Sequence, residues 1–519
     1  MQPTQEISSL PRLSYGEFIW RIPAMRKYLL TTLGGSVLLF VVFKLLYPYP
    51  DFFGDSYNYI HAAATGIDIN IYPIGYSKFL SAFHALTISG TALTTVQFLA
   101  MQFAMAHLVL TVVYFTLPTG WTASVLLLMP LILAPLTLYL GNTVNSDALF
   151  AILSLLWLAE LIWIIYRPRL YQVFLHAFLL FACFTVRNNG YYYPVVGAMT
   201  FLLSYQGAGR KVAGMVAPLL MIVPFIWYTQ QACLKLTGTK QFSLFTGWQL
   251  SNNALYMYDQ IDVDSSELPT PEAKSLNRYA IAYFRMINSG PFRDNLESYV
   301  GNFFIRQSEA PLKQFYARHY TYRGKEADVV NWARASAMMG PFGRTLIQKH
   351  PVAYAKYFVL PNIRHYFLPP LSHIGLYNYG QDAIDPSAQT WFQYKEPKVV
   401  CVSYHLQGYL LLPYVGMFLI LNLYYLINLV LFFRKKGVIG LKSYFGRLQV
   451  VIFTFFTLNF LFSIISTVNI LRYQFVPMAV LGLAGLILGY YQEDHIDAPS
   501  PLSWHTSEST NLTELNHAY

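Results

Sequence analysis

The sequence predicts an all-α polytopic membrane protein with about ten transmembrane helices and a mostly helical external segment. Of its 519 residues, 55% are apolar and only 12% are charged, whereas soluble domains average roughly a quarter charged residues. The apolar residues form long runs that are divided by short polar breaks. Lys and Arg recur in alternate breaks, which is the pattern that orients helices in a bilayer.

The first predicted span, residues 28–46, follows a cytoplasmic N-terminus of residues 1–27. A run of about 19 apolar residues, at about 1.5 Å each, crosses a hydrocarbon core of about 30 Å. Arg21, Arg26 and Lys27 precede this span and favour a cytoplasmic location for that end. No small-residue cleavage site follows the apolar run, so we expect no cleaved signal peptide.

An N-terminal membrane module, residues 28–230, also contains an acidic external loop and six further predicted spans. Basic pairs at Arg167/Arg169 and Arg210/Lys211 fall on the cytoplasmic side of these spans. One pair of spans is interrupted by VRNNGYYYP, and a polar break at membrane depth needs protein or water around it. The loop is residues 47–90, and the six spans are residues 92–117, 121–140, 147–166, 171–186, 191–205 and 212–230.

An external segment, residues 231–400, is followed by a C-terminal membrane module and a cytoplasmic tail. In the external segment, SLNRYAIAYFRMI and VVNWARASAMM are predicted helices, and PVAYAKYFVLPNIRHYFLPP is typical of an amphipathic interfacial helix. Cys233 and Cys401 bracket this segment, and a disulfide between them stays open because spacing does not show that they meet. The module is residues 401–491, with spans at 404–432, 448–467 and 474–491, and the tail is residues 492–519.

Ionisable residues at the external ends of the spans are the candidate functional groups. Asp51 and Asp55 lie in the acidic loop, Asp147 opens a span, and Arg187 and Arg472 stand in later external turns. Ionisable groups at the membrane mouth are costly to place, so they indicate function. The structural alternative for Asp55 is that it, or the following Ser, caps the short helix that DSYNYIHAAATG predicts.

Several motifs, in order over about residues 1–490, resemble the GT-C-fold, lipid-linked glycosyltransferases, in the bacterial branch similar to protein O-mannosyltransferases and aminoarabinose transferases. They are GDSYNYIHAA after the first span, YPIGYSKFL, NSDALFAILSLLWLA, VRNNGYYYPVV, KHPVAYAKYFVLPNIRHYF and LRYQFVPMAVL. The sequence departs from the family at Ile74, Ser77 and Asn188, where prolines are common. The external segment resembles the family only at its interfacial end.

The resemblance implies a GT-C-like fold and transfer of a sugar from a polyprenyl phosphate, by a single displacement with inversion. Asp55 would be the general base, with Asp51 and Asp147 orienting the acceptor or holding a divalent cation, so metal dependence stays open and no cofactor is certain. Carbohydrate transfer also needs positive charge on the leaving phosphate, for which Arg is suited. The phosphate-binding candidates are Arg187, Arg472 and Tyr473, and those for binding the acceptor or supporting the site are Tyr59, Asn189 and His373, with His350 and His365 as weaker ones.

The expected partners are the lipid-linked donor, membrane lipids and a glycan, glycolipid or protein acceptor, in a bacterial inner membrane with the site facing the periplasm. Nucleic acid is not expected, because the net charge of +10 is spread over short loops instead of one basic patch. A lipid-linked saccharide transporter or flippase is an alternative, although the loop pattern at 47–80 has no second copy. A polysaccharide polymerase or ligase is another, but would be expected to carry its working arginines in a late external loop.

Overall fold

The computed structural model describes residues 13–288, 301–466 and 468–492. In these residues the only β-structure is two isolated bridges, Asp51 with Thr143 and Ala383 with Lys398. The all-α prediction is therefore confirmed for the part of the chain that is described. Residues 1–12 of the predicted cytoplasmic N-terminus and residues 493–519 of the predicted tail lie outside it.

The N-terminal membrane module starts with a capped helix that the local sequence explains. Ser14 Oγ accepts from the backbone N–H of Glu17 at 3.3 Å, and the Glu17 carboxylate accepts from the Ser14 N–H at 2.9 Å, which is a capping box. The helices of the module are α1 (Tyr15–Arg21), α2 (Pro23–Leu46), α3 (Gly54–Thr65), α4 (Gly75–His84), α5 (Gly90–Thr116), α6 (Gly120–Ile132), α7 (Ala134–Asn142), α8 (Ser146–Tyr166), α9 (Tyr171–Val186), α10 (Tyr193–Leu203) and α11 (Ala208–Thr237).

The external segment contains a helical unit with its own hydrophobic core, which we call the cap (residues 246–288 and 301–349). Trp248 and Trp332 stack at its centre, with ring centroids 4.1 Å apart. All three helical stretches predicted in the external segment are confirmed; in the interfacial one, a π-helical turn at Ala355–Val359 joins two short helices. The helices are α12 (Thr246–Leu255), α13 (Pro271–Asn288), α14 (Phe303–Arg306), α15 (Pro311–His319), α16 (Ala327–Lys349), α17 (Pro351–Tyr354), α18 (Leu360–Phe367) and α19 (Pro386–Phe392).

The C-terminal membrane module is three long helices, the last of which follows a short 3-10 turn at Leu471–Gln474. These helices pack with the N-terminal module around one large apolar core. They are α20 (Leu406–Lys436), α21 (Tyr444–Ser466) and α22 (Phe475–Gln492).

Eight helical segments in the described residues are long and apolar enough to cross a membrane. A polytopic membrane protein is thus supported, with fewer full-length spans than the predicted ten. The other two predicted spans are the helices α9 and α10, of 16 and 11 residues, and both are shorter than the ~20 residues that a full crossing takes. A 3-10 turn at Asn188–Tyr192 joins them. Whether both of these helices cross the membrane or neither does, the helices before and after them keep the same orientation in it.

The three cysteines are free thiols, so the alternative of a Cys233–Cys401 disulfide is excluded. Cys233 is fully buried within α11, where its sulfur lies 3.5 Å from the hydroxyl of Thr237 on the next turn. Its side chain therefore packs against its own helix and the cap instead of reaching the end of the segment.

Candidate active site

Four ionisable side chains from distant parts of the sequence meet at the outer helix ends, meaning the ends opposite the basic loops. The terminal nitrogens of Arg472 lie 3.2 Å from Asp55 Oδ2 and 3.0 Å from Asp147 Oδ2. Arg187 donates to the other carboxylate oxygen of Asp147, Oδ1. Two positive and two negative groups thus form one connected chain, which we call the charge cluster.

A short backbone pairing explains why Asp55 reaches Asp147. The N–H of Asp51 donates to the carbonyl of Asn142, and the N–H of Val144 donates to the carbonyl of Asp51, both at 2.9 Å. This parallel bridge holds the start of the acidic loop beside the turn that opens α8. Asp55, in the first turn of α3, therefore lies next to Asp147, in the first turn of α8.

The polar break after α9 places Arg187 in the same cluster. The backbone of Arg187 is extended, with φ −150° and ψ 147°, between the end of α9 and the 3-10 turn. Helix α4 packs closely against this end of α9, since a Cβ on Gly75 would lie 2.7 Å from the carbonyl carbon of Thr185. The predicted need for polar surroundings at this break is met by Asp147 and by Ser146, whose Oγ accepts from Arg187 at 3.2 Å.

Two tyrosines complete the cluster. The Tyr473 hydroxyl accepts from Arg472 at 3.2 Å, and its ring centre lies 4.4 Å from the Arg187 guanidinium carbon, within cation–π range. Tyr59 is buried, and its hydroxyl lies 3.0 Å from Ser146 Oγ. Both were predicted site residues, and both contact the predicted arginines or their immediate partners.

Asp55 is bound by its neighbours as an anion, and it is not the cap of its helix. The N-cap position is Phe53, whose N–H donates to Ser56 Oγ at 2.9 Å, so the cap interpretation of Asp55 is wrong. Burial alone would raise the pKa of Asp55, but the charge of Arg472 and a 2.8 Å hydrogen bond from the Tyr72 hydroxyl outweigh it. The net pKa is lowered, and the carboxylate is ionised at neutral pH.

A cavity opens above the cluster, with about 420 Å³ of water-accessible space. The membrane modules and their loops form its inner wall, and the external segment forms its outer wall. The predicted residues on the inner wall are Asp55, Tyr59, Arg187, Asn189 and Tyr473. Arg472 and Asp147 line a smaller adjoining space. Another cavity, between helices α5, α8, α21 and α22, has no ionisable side chain in its lining.

Asp51 does not belong to this cavity, contrary to its prediction as a catalytic residue. It is 1% exposed, and its Oδ1 accepts from the backbone N–H of Asn378 at 2.8 Å. Burial raises its pKa to about 7, although the Asn378 hydrogen bond opposes the shift. Asp51 and Asp55 are separated because α3 begins only at Gly54. Asp51 therefore precedes the helix and points into the body of the protein.

His373 also lies away from the cavity lining. Its ring packs against Tyr379, with centroids 4.6 Å apart, and against Phe53 at 6.2 Å. Burial, together with the charges of Arg306 and Arg472, lowers its pKa to about 4, so the imidazole is neutral. It supports the Phe53 ring that lies beside the Arg472 guanidinium and does not reach the cavity. The weaker candidates His350 and His365 are absent from the described lining as well.

The residues proposed for a divalent cation do not fit one. Each oxygen of Asp147 already faces a guanidinium group, and Asp51 is held separately by Asn378. In the described ranges, no group of three His, Cys, Asp or Glu side chains is placed to hold a metal ion. Hard cations favour several oxygen ligands together, and this donor set does not offer them.

Sequence reasoning missed Tyr72 and the polar residues of the outer wall. Tyr72 begins the YPIGY motif, and its position in a motif that already resembled the family was an available signal. The side chains of the outer wall gave no such signal in the sequence, because they are scattered through the external segment without a motif. They include Thr246, Gln249, Asn253, Asn302, Arg306 and Tyr354.

Comparisons with family models, with curated proteins and with solved structures found no match. The charge cluster, the cavity and the motif resemblance are therefore the features that point to a function.

Proposed function

We propose that this protein is a membrane glycosyltransferase that moves a sugar from a polyprenyl-phosphate donor to an acceptor on the outer side of a bacterial inner membrane. The observation that carries the proposal is the position of Asp55. Its carboxylate is ionised, is fixed by Arg472 and Tyr72, and lines a cavity between membrane helices and an external cap. A GT-C-like fold is part of the proposal, and the order of the motifs supports it.

The chemistry follows from this placement. The acceptor oxygen attacks the anomeric carbon as the bond from that carbon to the phosphate oxygen breaks, so the configuration inverts. The acceptor's proton passes to Asp55, and the polyprenyl phosphate leaves with the electron pair of the broken bond. Because the Asp55 carboxylate is ionised, it is able to accept this proton.

Arg187 is the better candidate of the two arginines for contact with the leaving phosphate. It lines the cavity and is stacked by Tyr473, and guanidinium nitrogens that do not face Asp147 remain for phosphate oxygens. Arg472 is 2% exposed and divides its nitrogens between two carboxylates. Its role is then to hold Asp55 and Asp147 in their charged state. The polyprenyl chain stays in the bilayer, which agrees with a phosphate site at the outer helix ends.

The test is donor cleavage by the purified protein in nanodiscs, with a panel of polyprenyl-phosphate sugars and detection of released polyprenyl phosphate. We expect release with at least one donor, and its loss in Asp55→Asn. Asp68→Asn is the matched control, because Asp68 lies in the next turn of the same loop and forms a half-exposed ion pair with Lys78 that contributes little. Movement of an intact donor across the bilayer, without cleavage, would support the transporter instead.

A further inference from the structure

The outer wall of the cavity differs in chemistry from the inner wall. It contains three side-chain amides, and Phe245 and Tyr354 add two aromatic rings. Among the described lining residues, the external segment contributes one charge, Arg306, and no carboxylate. This wall belongs to the external segment, so a donor whose chain stays in the bilayer leaves it to the acceptor.

The amides of α12 are fixed in place by neighbouring backbone groups. Gln249 Nε2 donates to Asn253 Oδ1 at 2.7 Å and to the carbonyl of Gly301 at 3.1 Å. Asn253 Nδ2 donates to the carbonyl of Ile465 at 3.3 Å. No described residue donates to Gln249 Oε1, which leaves this oxygen as an acceptor for a ligand.

Arg306 is fixed in a similar way. In the amide orientation that satisfies both side chains, Asn302 Oδ1 accepts from Arg306 Nε at 2.8 Å and from a terminal nitrogen at 3.2 Å. The Asn302 side chain also lines the cavity. No described carboxylate forms an ion pair with Arg306, so the described part of the outer wall has a net positive charge.

Asn145, on the inner wall, provides an independent sign of a polar ligand. It is 1% exposed, and its Oδ1 accepts from Ser146 Oγ at 3.1 Å. Its Nδ2 is buried and has no hydrogen-bond partner among the described residues, although Asn145 lines the cavity. Buried donors are almost always paired, so a ligand oxygen is the expected partner.

We propose that the acceptor is a saccharide without positive charge, held by Gln249 and Asn302 on one side and reached by Asn145 on the other. This inference rests on the proposed function and names its acceptor class. An amide offers a donor and an acceptor, which matches sugar hydroxyl groups, and Arg306 disfavours a cationic acceptor.

The experiment measures polyprenyl phosphate release by the full chain in nanodiscs, using a donor that the panel shows to be cleaved. Three acceptors are compared: a neutral nitrophenyl glycoside, the corresponding amino-sugar glycoside and a Ser/Thr-containing peptide. We expect the neutral glycoside to raise release about tenfold over water and to appear glycosylated by mass, with a weaker response to the amino sugar. The tenfold scale is that of about one well-formed hydrogen bond.

Variants then locate the acceptor site. Gln249→Ala should raise the KM for the glycoside about tenfold, more than it lowers kcat, and Asn302→Ser makes the same test if the first variant does not fold. Arg306→Gln should reduce the difference in polyprenyl phosphate release between the neutral glycoside and the amino-sugar glycoside. Gln314→Ala, on α15 with its Nε2 bonded to the Ser308 carbonyl, is the control and should change neither constant.

The outcomes separate this inference from the proposed function. Stimulation by the peptide and not by the glycosides would overturn the saccharide acceptor while the transferase stands. An unchanged glycoside KM in both Gln249→Ala and Asn302→Ser would also overturn it. If no donor is cleaved, even by water, the transferase proposal and the saccharide acceptor fail together.

Discussion

Asp51 and Asp55 stand four residues apart in one external loop, yet their surroundings oppose each other. Asp55 faces a guanidinium and a tyrosine hydroxyl at the wall of a cavity, and its pKa is lowered. Asp51 is enclosed by protein, and burial raises its pKa to about 7. The charge of a carboxylate at the membrane mouth is thus set by whether an arginine reaches it.

The largest expected difference between the two carboxylates is in activity. Asp55→Asn keeps the size of the side chain but removes the base, so donor cleavage should fall by roughly 10²–10⁴-fold. Asp51→Asn should stay within a few-fold of the native rate, because an amide can replace a protonated carboxyl. Release of polyprenyl phosphate under identical conditions measures both. Equal losses of donor cleavage in the two variants would contradict the different roles of the two aspartates.

The next prediction concerns Arg472, which forms an ion pair with Asp55. Arg472→Gln leaves Asp55 and Asp147 without their shared cation, and breaking such a buried pair costs roughly 3–5 kcal/mol. The thermal unfolding midpoint in detergent should fall accordingly. Adding Asp55→Asn removes the carboxylate that is left without a cation, since Asp147 keeps Arg187, and should recover part of the loss. A double variant less stable than Arg472→Gln alone would contradict this account of the cluster.

A smaller effect is expected in the pH dependence of stability. The pKa of Asp51 rises from 3.8 in the reference state to about 7 in the fold, so the folded protein binds a proton more tightly than the unfolded chain. This contribution is complete below pH ~4 and is lost as the pH rises to about 7. Between pH 5 and pH 8, Asp51→Asn should therefore lose less stability than the native chain does. Parallel thermal unfolding curves at the two pH values test this.

The smallest effect is expected at Tyr72. Tyr72→Phe removes one hydrogen bond to Asp55, which should lower donor cleavage by roughly 2- to 10-fold. The pKa of Asp55 should rise, because its anionic form loses a donor, so the acid limb of the kcat/KM profile should move to higher pH. Tyr76→Phe is the control, since it loses a comparable buried hydrogen bond to Gln97 and should leave the limb in place.

The sequence was informative where ionisable residues fall at the ends of apolar runs. Asp55, Asp147, Arg187 and Arg472 were recognisable because charge is costly at membrane depth, and the structure brings all four together. Asp51 could not be separated from Asp55 in this way, because its orientation depends on a backbone bridge to Thr143, far along the chain.

The length of the spans and the outer wall were harder to predict. Hydropathy alone does not show that α9 and α10 end early around a polar turn. The amides of the cap follow no apolar periodicity, and their common wall arises only when α12 packs above the membrane modules. Their chemistry is therefore a property of tertiary structure.

The most direct test of the central claim is infrared difference spectroscopy of the carboxyl groups between pH 5 and pH 8, in the native chain, Asp51→Asn and Asp55→Asn. We predict that one protonated-carboxyl signal is lost near pH 7 in the native chain, persists in Asp55→Asn and is missing in Asp51→Asn, while any signal from the buried Glu160 carboxyl is common to all three. If the signal instead disappears in Asp55→Asn and persists in Asp51→Asn, then Asp55 is the protonated group, and the assignment of an ionised base held by Arg472 is wrong.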